Sequence, residues 1–221
     1  MCLPISLPEH SVQIHVENDL GRPRLTVLFR ALLAIPHFVW LLLWLVPALL
    51  AAVAAWFVAL VSGRVPSALH RFLAAYVRYA THVIAFVYVI ARRFPGFTGR
   101  AGSYGIDVEI DPRESQSRWK TLFRLPLAIP ALMLASALGG AAFVVALLGW
   151  WYALVTGRMP EGLRNLGAAC LRYTAQTYAY VFLLTDRYPY AAPVLEERPE
   201  EPREVNAEGV TPPPLATGDA L

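Results

Sequence analysis

The residues best suited to binding chemistry in this sequence are arginines that recur 94 positions apart. Three of these pairs are the candidates: Arg30 with Arg124, Arg64 with Arg158, and Arg78 with Arg172. These six residues are our candidate contacts for an anionic lipid, an anionic solute or a partner protein. Arg64 and Arg158 each lie between a glycine and a proline-containing turn, where they most simply end a helix and anchor it at a membrane surface.

Arg78 and Arg172 lie inside apolar segments, where an arginine is costly unless it is paired or reaches water. Three interpretations stay open at this point. The side chain reaches back to the lipid headgroups, or it forms a structural ion pair, or it binds an anionic lipid or solute. The ion pairs considered are Arg172 with Glu161 and Arg78 with Asp186.

Residues for catalysis or metal binding are scarce. The five histidines lie between positions 10 and 82 and lack the spacing of metal ligands on a common helix face. No Asp or Glu occurs between Asp19 and Asp107, which excludes paired-carboxylate chemistry in that stretch. A nucleophile elbow, a phosphate-binding loop and a dinucleotide fingerprint are also missing. We therefore predict no catalytic residues, no metal and no cofactor, and lean against an enzyme.

The arginines belong to an internal duplication that positions them. Residues 28–36 recur as residues 122–130, and each copy leads into an apolar run that ends in a Gly-Arg-x-Pro turn. The runs at 31–61 and 125–155 contain no charged residue, and each exceeds the roughly 20 residues that a spanning helix needs. With 57% apolar residues and a mean hydropathy of +0.46, the chain is predicted to lie in the cell membrane.

A second, weaker apolar segment follows in each repeat, at 72–91 and 166–185. Two spans per repeat would give both copies one orientation and put equivalent charges on one side. Eleven basic residues would then lie on the side of the N-terminus and four on the other, so the positive-inside rule predicts that both termini are cytoplasmic. We therefore predict a mainly α-helical, multi-pass membrane protein with four membrane helices. The alternative is two spans with two amphipathic helices in the interface.

Each repeat is predicted to open with a short strand outside the membrane, because residues 12–16 and 106–110 alternate apolar and polar side chains. The two strands would pair with each other. Pro36 and Pro130 are expected to kink the first helix or to separate a short interfacial piece from it. The predicted organisation is a leader (1–11), repeat 1 (12–97), a connector (98–105), repeat 2 (106–191) and a disordered, acidic, Pro-rich tail (192–221).

The repeated motifs resemble one family. The residues that carry this resemblance are Arg24-Leu25-Thr26-Val27-Leu28-Phe29-Arg30, Ala34-Ile35-Pro36-His37, Gly63-Arg64-Val65-Pro66 and Leu183-Leu184-Thr185-Asp186-Arg187-Tyr188-Pro189. The pattern is similar to the bacterial membrane proteins grouped as domain of unknown function 4389, and it covers nearly the whole chain apart from leader and tail. The first repeat departs at its close, with Arg92 where the second has Asp186. The resemblance implies a multi-pass bacterial membrane protein and supplies no reaction or ligand.

The function expected from these observations is a noncatalytic membrane module that binds a protein partner or anionic lipid. A small transporter or channel for an anionic solute and a lipid-modifying membrane enzyme are the alternatives. The expected partners are the lipid bilayer with its anionic headgroups, and another membrane protein or further copies of the chain. No nucleic acid is expected.

Overall fold

A computed structural model of the chain describes residues 12–16, 21, 24–100, 104, 106–110 and 116–190, with only the backbone at 12–16 and 106–109. The leader, part of the connector and the tail predicted above lie outside these residues. The elements are β1 (Val12–Val16), α1 (Arg24–Ser62), α2 (Ser67–Val87), β2 (Ile106–Ile110), α3 (Arg118–Leu122), α4 (Arg124–Thr156) and α5 (Glu161–Val181).

Both predicted strands are present, and they pair with each other. β1 and β2 form an antiparallel two-stranded ribbon in which Val12 lies opposite Ile110 and Val16 opposite Ile106. β1 packs against α5 and β2 against α2, and Ile110 belongs to the same apolar cluster as Leu73 and Ala179. The ribbon therefore covers α2 and α5.

Proline positions explain why the two long helices begin differently. α1 runs for 39 residues through Pro36 and Pro47, so the division expected near Pro36 does not occur. In the second repeat a short helix, α3, ends at Leu122, four residues before Pro126. A proline lacks an N–H, and its ring crowds the carbonyl four residues earlier, which either kinks or breaks a helix. The long helices tolerate Pro36, Pro47 and Pro130, whereas the interruption at Phe123 coincides with Pro126. Leu32 occupies the equivalent position in the first repeat and permits an unbroken helix.

The two repeats run in opposite directions, which contradicts the expected common orientation. Trp56, near the end of α1, donates a hydrogen bond to the Thr121 carbonyl at 2.8 Å, ahead of α4. Trp150, near the end of α4, donates to the Val27 carbonyl at 2.8 Å, near the start of α1. The end of each long helix thus meets the beginning of the other, so α1 and α4 are antiparallel.

The helices α2 and α5 are also antiparallel to each other. The ring of His70 at the start of α2 lies 3.3 Å from the Leu184 carbonyl after α5, and Gly167 near the start of α5 lies against Ile90 after α2. Equivalent charges therefore lie at opposite ends of the molecule, because an approximate two-fold axis relates the repeats. The charge count that placed both termini in the cytoplasm assumed that the two repeats point the same way. The location of the termini stays a prediction without that support.

α1 and α4 are apolar around most of their circumference. In α1 the buried positions form one stripe: Val27, Arg30, Ala34, His37, Ala48, Ala55 and Ala59. The remaining faces expose large apolar side chains, with Leu42 67% and Leu50 68% exposed. Among the described residues, α1 and α4 are the two helices long and apolar enough to cross a membrane. α2 and α5, which the sequence predicted as further membrane helices, do not meet that criterion.

Candidate functional site

Arg30 and Arg124 are buried clamps that hold two helix ends, so their guanidinium groups do not lie on the protein surface. Arg30 is 2% exposed and donates to the carbonyls of Phe86 and Ala91, at 2.6 and 3.2 Å. Arg124 is 1% exposed and donates to the carbonyls of Tyr180 and Thr185. The same side chain thus contacts equivalent carbonyls in each repeat.

The helix ends explain how a buried guanidinium is tolerated. Phe86 and Tyr180 belong to the last turns of α2 and α5, whose carbonyls form the negative pole of the helix dipole. Each helix is followed by a residue in the left-handed region, Val89 at φ 62° and Leu183 at φ 59°. This tight ending presents further carbonyls to the arginine. Each guanidinium also lies 4.5 Å from the centre of the Phe86 or Tyr180 ring.

The clamp of the second repeat carries an additional ion pair. Arg124 donates to Asp186 Oδ1 at 3.0 Å and to Gln116 Oε1 at 2.6 Å. Lys120 lies 3.3 Å from the other oxygen of Asp186. The sequence analysis had considered Arg78 as one possible partner of Asp186, and the structure shows Arg124 and Lys120 beside this carboxylate. In the first repeat Arg92 occupies the position of Asp186, so the two clamps differ in charge.

Arg64 and Arg158 lie at exposed turns that end α1 and α4. Gly63 and Gly157 adopt φ values of 69° and 75°, which suit glycine at a helix C-terminus. The amides of Arg64 and Arg158 donate to the hydroxyls of Ser62 and Thr156 at 3.3 Å. Their guanidinium groups are exposed, as expected for surface anchors.

Arg78 and Arg172 lie partly buried in the middle of α2 and α5. Glu161 lies 3.7 Å from Arg164, so it pairs within the first turn of α5, whereas the sequence analysis had considered Arg172 as its partner. The structure therefore does not gather the six predicted arginines into one site. It places two as internal clamps, two at exposed turns and two within the central helices.

The sequence analysis missed an aromatic cluster around His37. The ring nitrogen Nδ1 of His37 lies 2.7 Å from the hydroxyl of Tyr79, and the imidazole stacks on Phe97 with ring centres 4.4 Å apart. Phe94 packs against the same imidazole at 4.6 Å. Ala131 replaces His37 in the second repeat, and this difference between the copies was the available signal. The cluster ties the segment after α2 back onto α1.

Two further features concern ligands. Within the described ranges, no group of three or more His, Cys, Asp and Glu residues is arranged to hold a metal ion. A cavity of about 290 Å³ lies between α4, α5 and the end of α2. Its wall includes Gly139 of α4, Cys170 of α5 and Tyr88, the residue after α2.

Comparison with known proteins gives a family and no characterised relative. No curated protein and no solved structure matches the chain. The family described as Domain of unknown function (DUF4389) matches twice, over residues 24–98 and 118–192, so that each match covers one repeat from its first long helix onward. Because these two matches cover more than half of the sequence, the chain belongs to the DUF4389 family.

Proposed function

We propose that this protein is a noncatalytic membrane module whose long helices lie in lipid and whose exposed cations bind anionic headgroups. The main observation behind this proposal is the contrast between the uncharged, apolar middle of α1 and α4 and the basic residues at their ends. Between residues 31 and 61, and between 125 and 155, there is no charged side chain, and most large apolar side chains are exposed. Exposed basic residues flank each of these runs: Arg24, Arg64, Arg118, Lys120 and Arg158.

The hydrophobic effect supports lipid contact. Monomeric soluble proteins rarely expose apolar patches larger than a few hundred Å², and larger ones mark binding or membrane surfaces. Burying one large apolar side chain contributes about 1.5–3 kcal/mol. α1 alone exposes such side chains along its whole length, among them Leu43 at 63% and Val61 at 77%. A lipid environment covers this surface without any further protein.

The ribbon argues against the four-span arrangement expected from the sequence. Among the described residues the ribbon has two strands, so each strand keeps one edge without a strand partner. Hydrocarbon does not tolerate open sheet edges. Since the ribbon packs along α2 and α5, a bundle with all four helices across the bilayer would put these edges at bilayer depth. We therefore propose that α1 and α4 form the lipid-facing layer, and that the ribbon lies outside the hydrocarbon.

Charge favours anionic lipid over a protein partner. The residues whose side chains the structure describes include fifteen basic and two acidic ones, and one of these two acids, Asp186, pairs with Arg124 and Lys120. A cationic border beside an apolar layer matches an interface with anionic headgroups. Each basic residue near such a surface contributes about 1 kcal/mol, which corresponds to roughly a fivefold change in affinity.

The location is tested by depth measurements in reconstituted bilayers. Acyl-chain-brominated phosphatidylcholine should quench Trp40 and Trp151, which are exposed on α1 and α4, in variants that retain one tryptophan at a time. A nitroxide attached at Gln13 should be relaxed by a water-soluble nickel complex, because the ribbon lies outside the hydrocarbon. Unquenched tryptophans would refute lipid contact. A nitroxide reached by oxygen and protected from nickel would refute the position of the ribbon.

Headgroup binding is tested by lipid selectivity. Spin-labelled phosphatidylglycerol should associate with the protein in preference to labelled phosphatidylcholine. Replacing Arg64 and Arg158 together by Gln should weaken this preference, whereas replacing both by Lys should preserve it. Equal association of the two lipids with the wild-type protein would overturn the anionic-lipid proposal and leave the membrane location intact.

A small transporter for an anionic solute is the second candidate. The observation that favours it is the antiparallel arrangement of the repeats, because inverted repeats occur in many transporter folds. Liposomes containing the purified protein should then show a flux of chloride or phosphate that protein-free liposomes lack. The absence of flux for both anions would remove this candidate.

A further inference from the structure

We propose that the cavity of the second repeat binds one acyl chain of a membrane phospholipid. This inference rests on the proposed contact of α4 with lipid and adds a defined binding site to it. The cavity holds about 290 Å³, and small side chains form much of its wall. On α4 these are Ala135, Ser136 and Gly139, and on α5 Cys170 lies opposite them.

The first repeat shows what a filled version of this site looks like. The positions equivalent to Ala135, Ser136 and Gly139 hold leucines 41, 42 and 45, and the position of Cys170 holds Tyr76. The ring of Tyr76 packs against that of Phe182 with ring centres 5.6 Å apart. Phe182 is equivalent to Tyr88, which lines the cavity. At the positions that line the cavity, the first repeat therefore carries larger side chains, and the ring of Tyr76 is one that packs against a neighbouring ring.

The cavity is a half-open groove with a volume of about 290 Å³. This volume lies at the lower end of the range of about 300–1,000 Å³ that small-molecule sites occupy. The hydroxyl of Thr174, one of the polar groups in the wall, donates to the Cys170 carbonyl at 2.9 Å. The wall also carries the hydroxyls of Tyr88, Ser136 and Tyr178. An acyl chain would lie against its apolar part, which consists of Ile84, Leu132, Ala135, Ala142 and Leu171.

The opening of the cavity identifies where the ligand comes from. Three of the lining residues reach the surface: Leu132 at 38% exposure, Tyr178 at 43%, and Ser136. Beside them α4 exposes Met133 at 70%, on a helix without charged residues between 125 and 155. A molecule enters from the apolar phase that covers this face, and in a bilayer that molecule is a phospholipid acyl chain.

Two adjacent glycines provide a matched pair of variants. A Cβ atom added at either Gly139 or Gly140 meets nothing within 4 Å, so both positions have room for a side chain. Gly139 lines the cavity, and Gly140 does not. Gly139→Leu introduces the residue that the first repeat carries at this position, and Gly140→Leu changes the neighbouring position of the same helix.

The experiment uses the full chain in bilayers that contain a phosphatidylcholine with a photoreactive diazirine at the end of one acyl chain. After illumination, mass spectrometry locates the labelled residues. We expect labelling at the buried lining residues in the wild-type protein and in Gly140→Leu, and labelling reduced to background there in Gly139→Leu; these residues are Ala135, Ala142, Cys170 and Leu171. Should Gly139→Leu fail to fold, judged by its thermal transition, Cys170→Tyr fills the same space and is expected to give the same loss.

The outcomes separate this proposal from the membrane location. Labelling confined to the exposed faces of α1 and α4, or cavity labelling that persists in both filling variants, overturns the acyl-chain site and leaves lipid contact standing. Labelling of the buried lining residues by a diazirine-bearing free fatty acid, but not by the phospholipid, overturns the choice of ligand. Absence of labelling along both long helices overturns the site together with the proposed location.

Discussion

Replacing Arg124 by Met should destabilise the protein strongly, because this residue clamps two backbone carbonyls and one carboxylate in a buried position. The guanidinium is 1% exposed, and the Asp186 side chain only 13%. Methionine has a similar length and removes both the charge and the hydrogen bonds. The variant leaves Asp186, the Gln116 amide and two carbonyls at the end of α5 without their shared donor.

The expected magnitude follows from these contacts. Removing one partner of a buried ion pair costs about 3–5 kcal/mol. Lys120 continues to neutralise Asp186, but its side chain is 57% exposed, so solvent screening limits its contribution. For a protein of this size, 1 kcal/mol corresponds to roughly 2–4 °C in Tm, so the loss is roughly 6–20 °C. The double variant Arg124→Met/Asp186→Asn should recover about 1–3 kcal/mol, since it no longer leaves a carboxylate unpaired.

The assay is tryptophan fluorescence during thermal unfolding in detergent micelles. Arg30→Met is the matched control, because it removes the equivalent clamp where Arg92 stands in place of Asp186. It should also be destabilising, and combining it with Asp186→Asn should recover nothing. An Arg124→Met variant within about 1 kcal/mol of the wild type would refute the clamp, because that is the size of an ordinary surface change.

Three further predictions concern other contacts. Trp56→Phe and Trp150→Phe each lose one hydrogen bond between the repeats, so each should lower the free energy of unfolding by about 1 kcal/mol and the two losses should add; a double variant no less stable than either single one would contradict this. Gly99→Ala should destabilise the protein by about 1–3 kcal/mol, since its Cβ would collide with the Ala75 carbonyl oxygen, whereas Gly96→Ala, with open space around its Cβ, should be neutral in the same thermal assay. Burial lowers the pKa of His70 from its ordinary value of 6.5, so the folded state resists its protonation. The stability that neutral His70 provides is present above this value and is lost as the pH falls below it. Thermal unfolding between pH 7.5 and 5 should therefore show a smaller acid loss for His70→Gln, and identical losses would contradict this assignment.

Much of the local structure could be predicted from residue patterns. The alternation at 12–16 and 106–110 identified both strands, and their pairing followed from the need of a lone strand for a partner. The glycines before Arg64 and Arg158 identified where the long helices end. These features depend on local preferences, which a sequence displays directly.

The relative direction of the repeats could not be predicted in this way. A duplication shows that two segments fold alike and says nothing about how they pack together. The direction depends on contacts such as that from Trp150 to the Val27 carbonyl, and a backbone carbonyl has no signature in the sequence. The partners of Arg30 and Arg124 escaped detection for the same reason. The two buried guanidinium groups donate to carbonyls at helix ends, whereas the sequence analysis had considered lipid headgroups among their partners.

The distance between the two exposed turns tests the antiparallel arrangement most directly. Nitroxides at Arg64 and Arg158, with Cys2 and Cys170 replaced by Ser, should be some 40 Å or more apart by pulsed electron spin resonance, because the length of a long helix separates the two ends. Nitroxides at Arg64 and Arg118 should be close together, since Gly63 lies beside the Arg118 side chain. A short distance between Arg64 and Arg158, combined with a long one between Arg64 and Arg118, would contradict the antiparallel repeats.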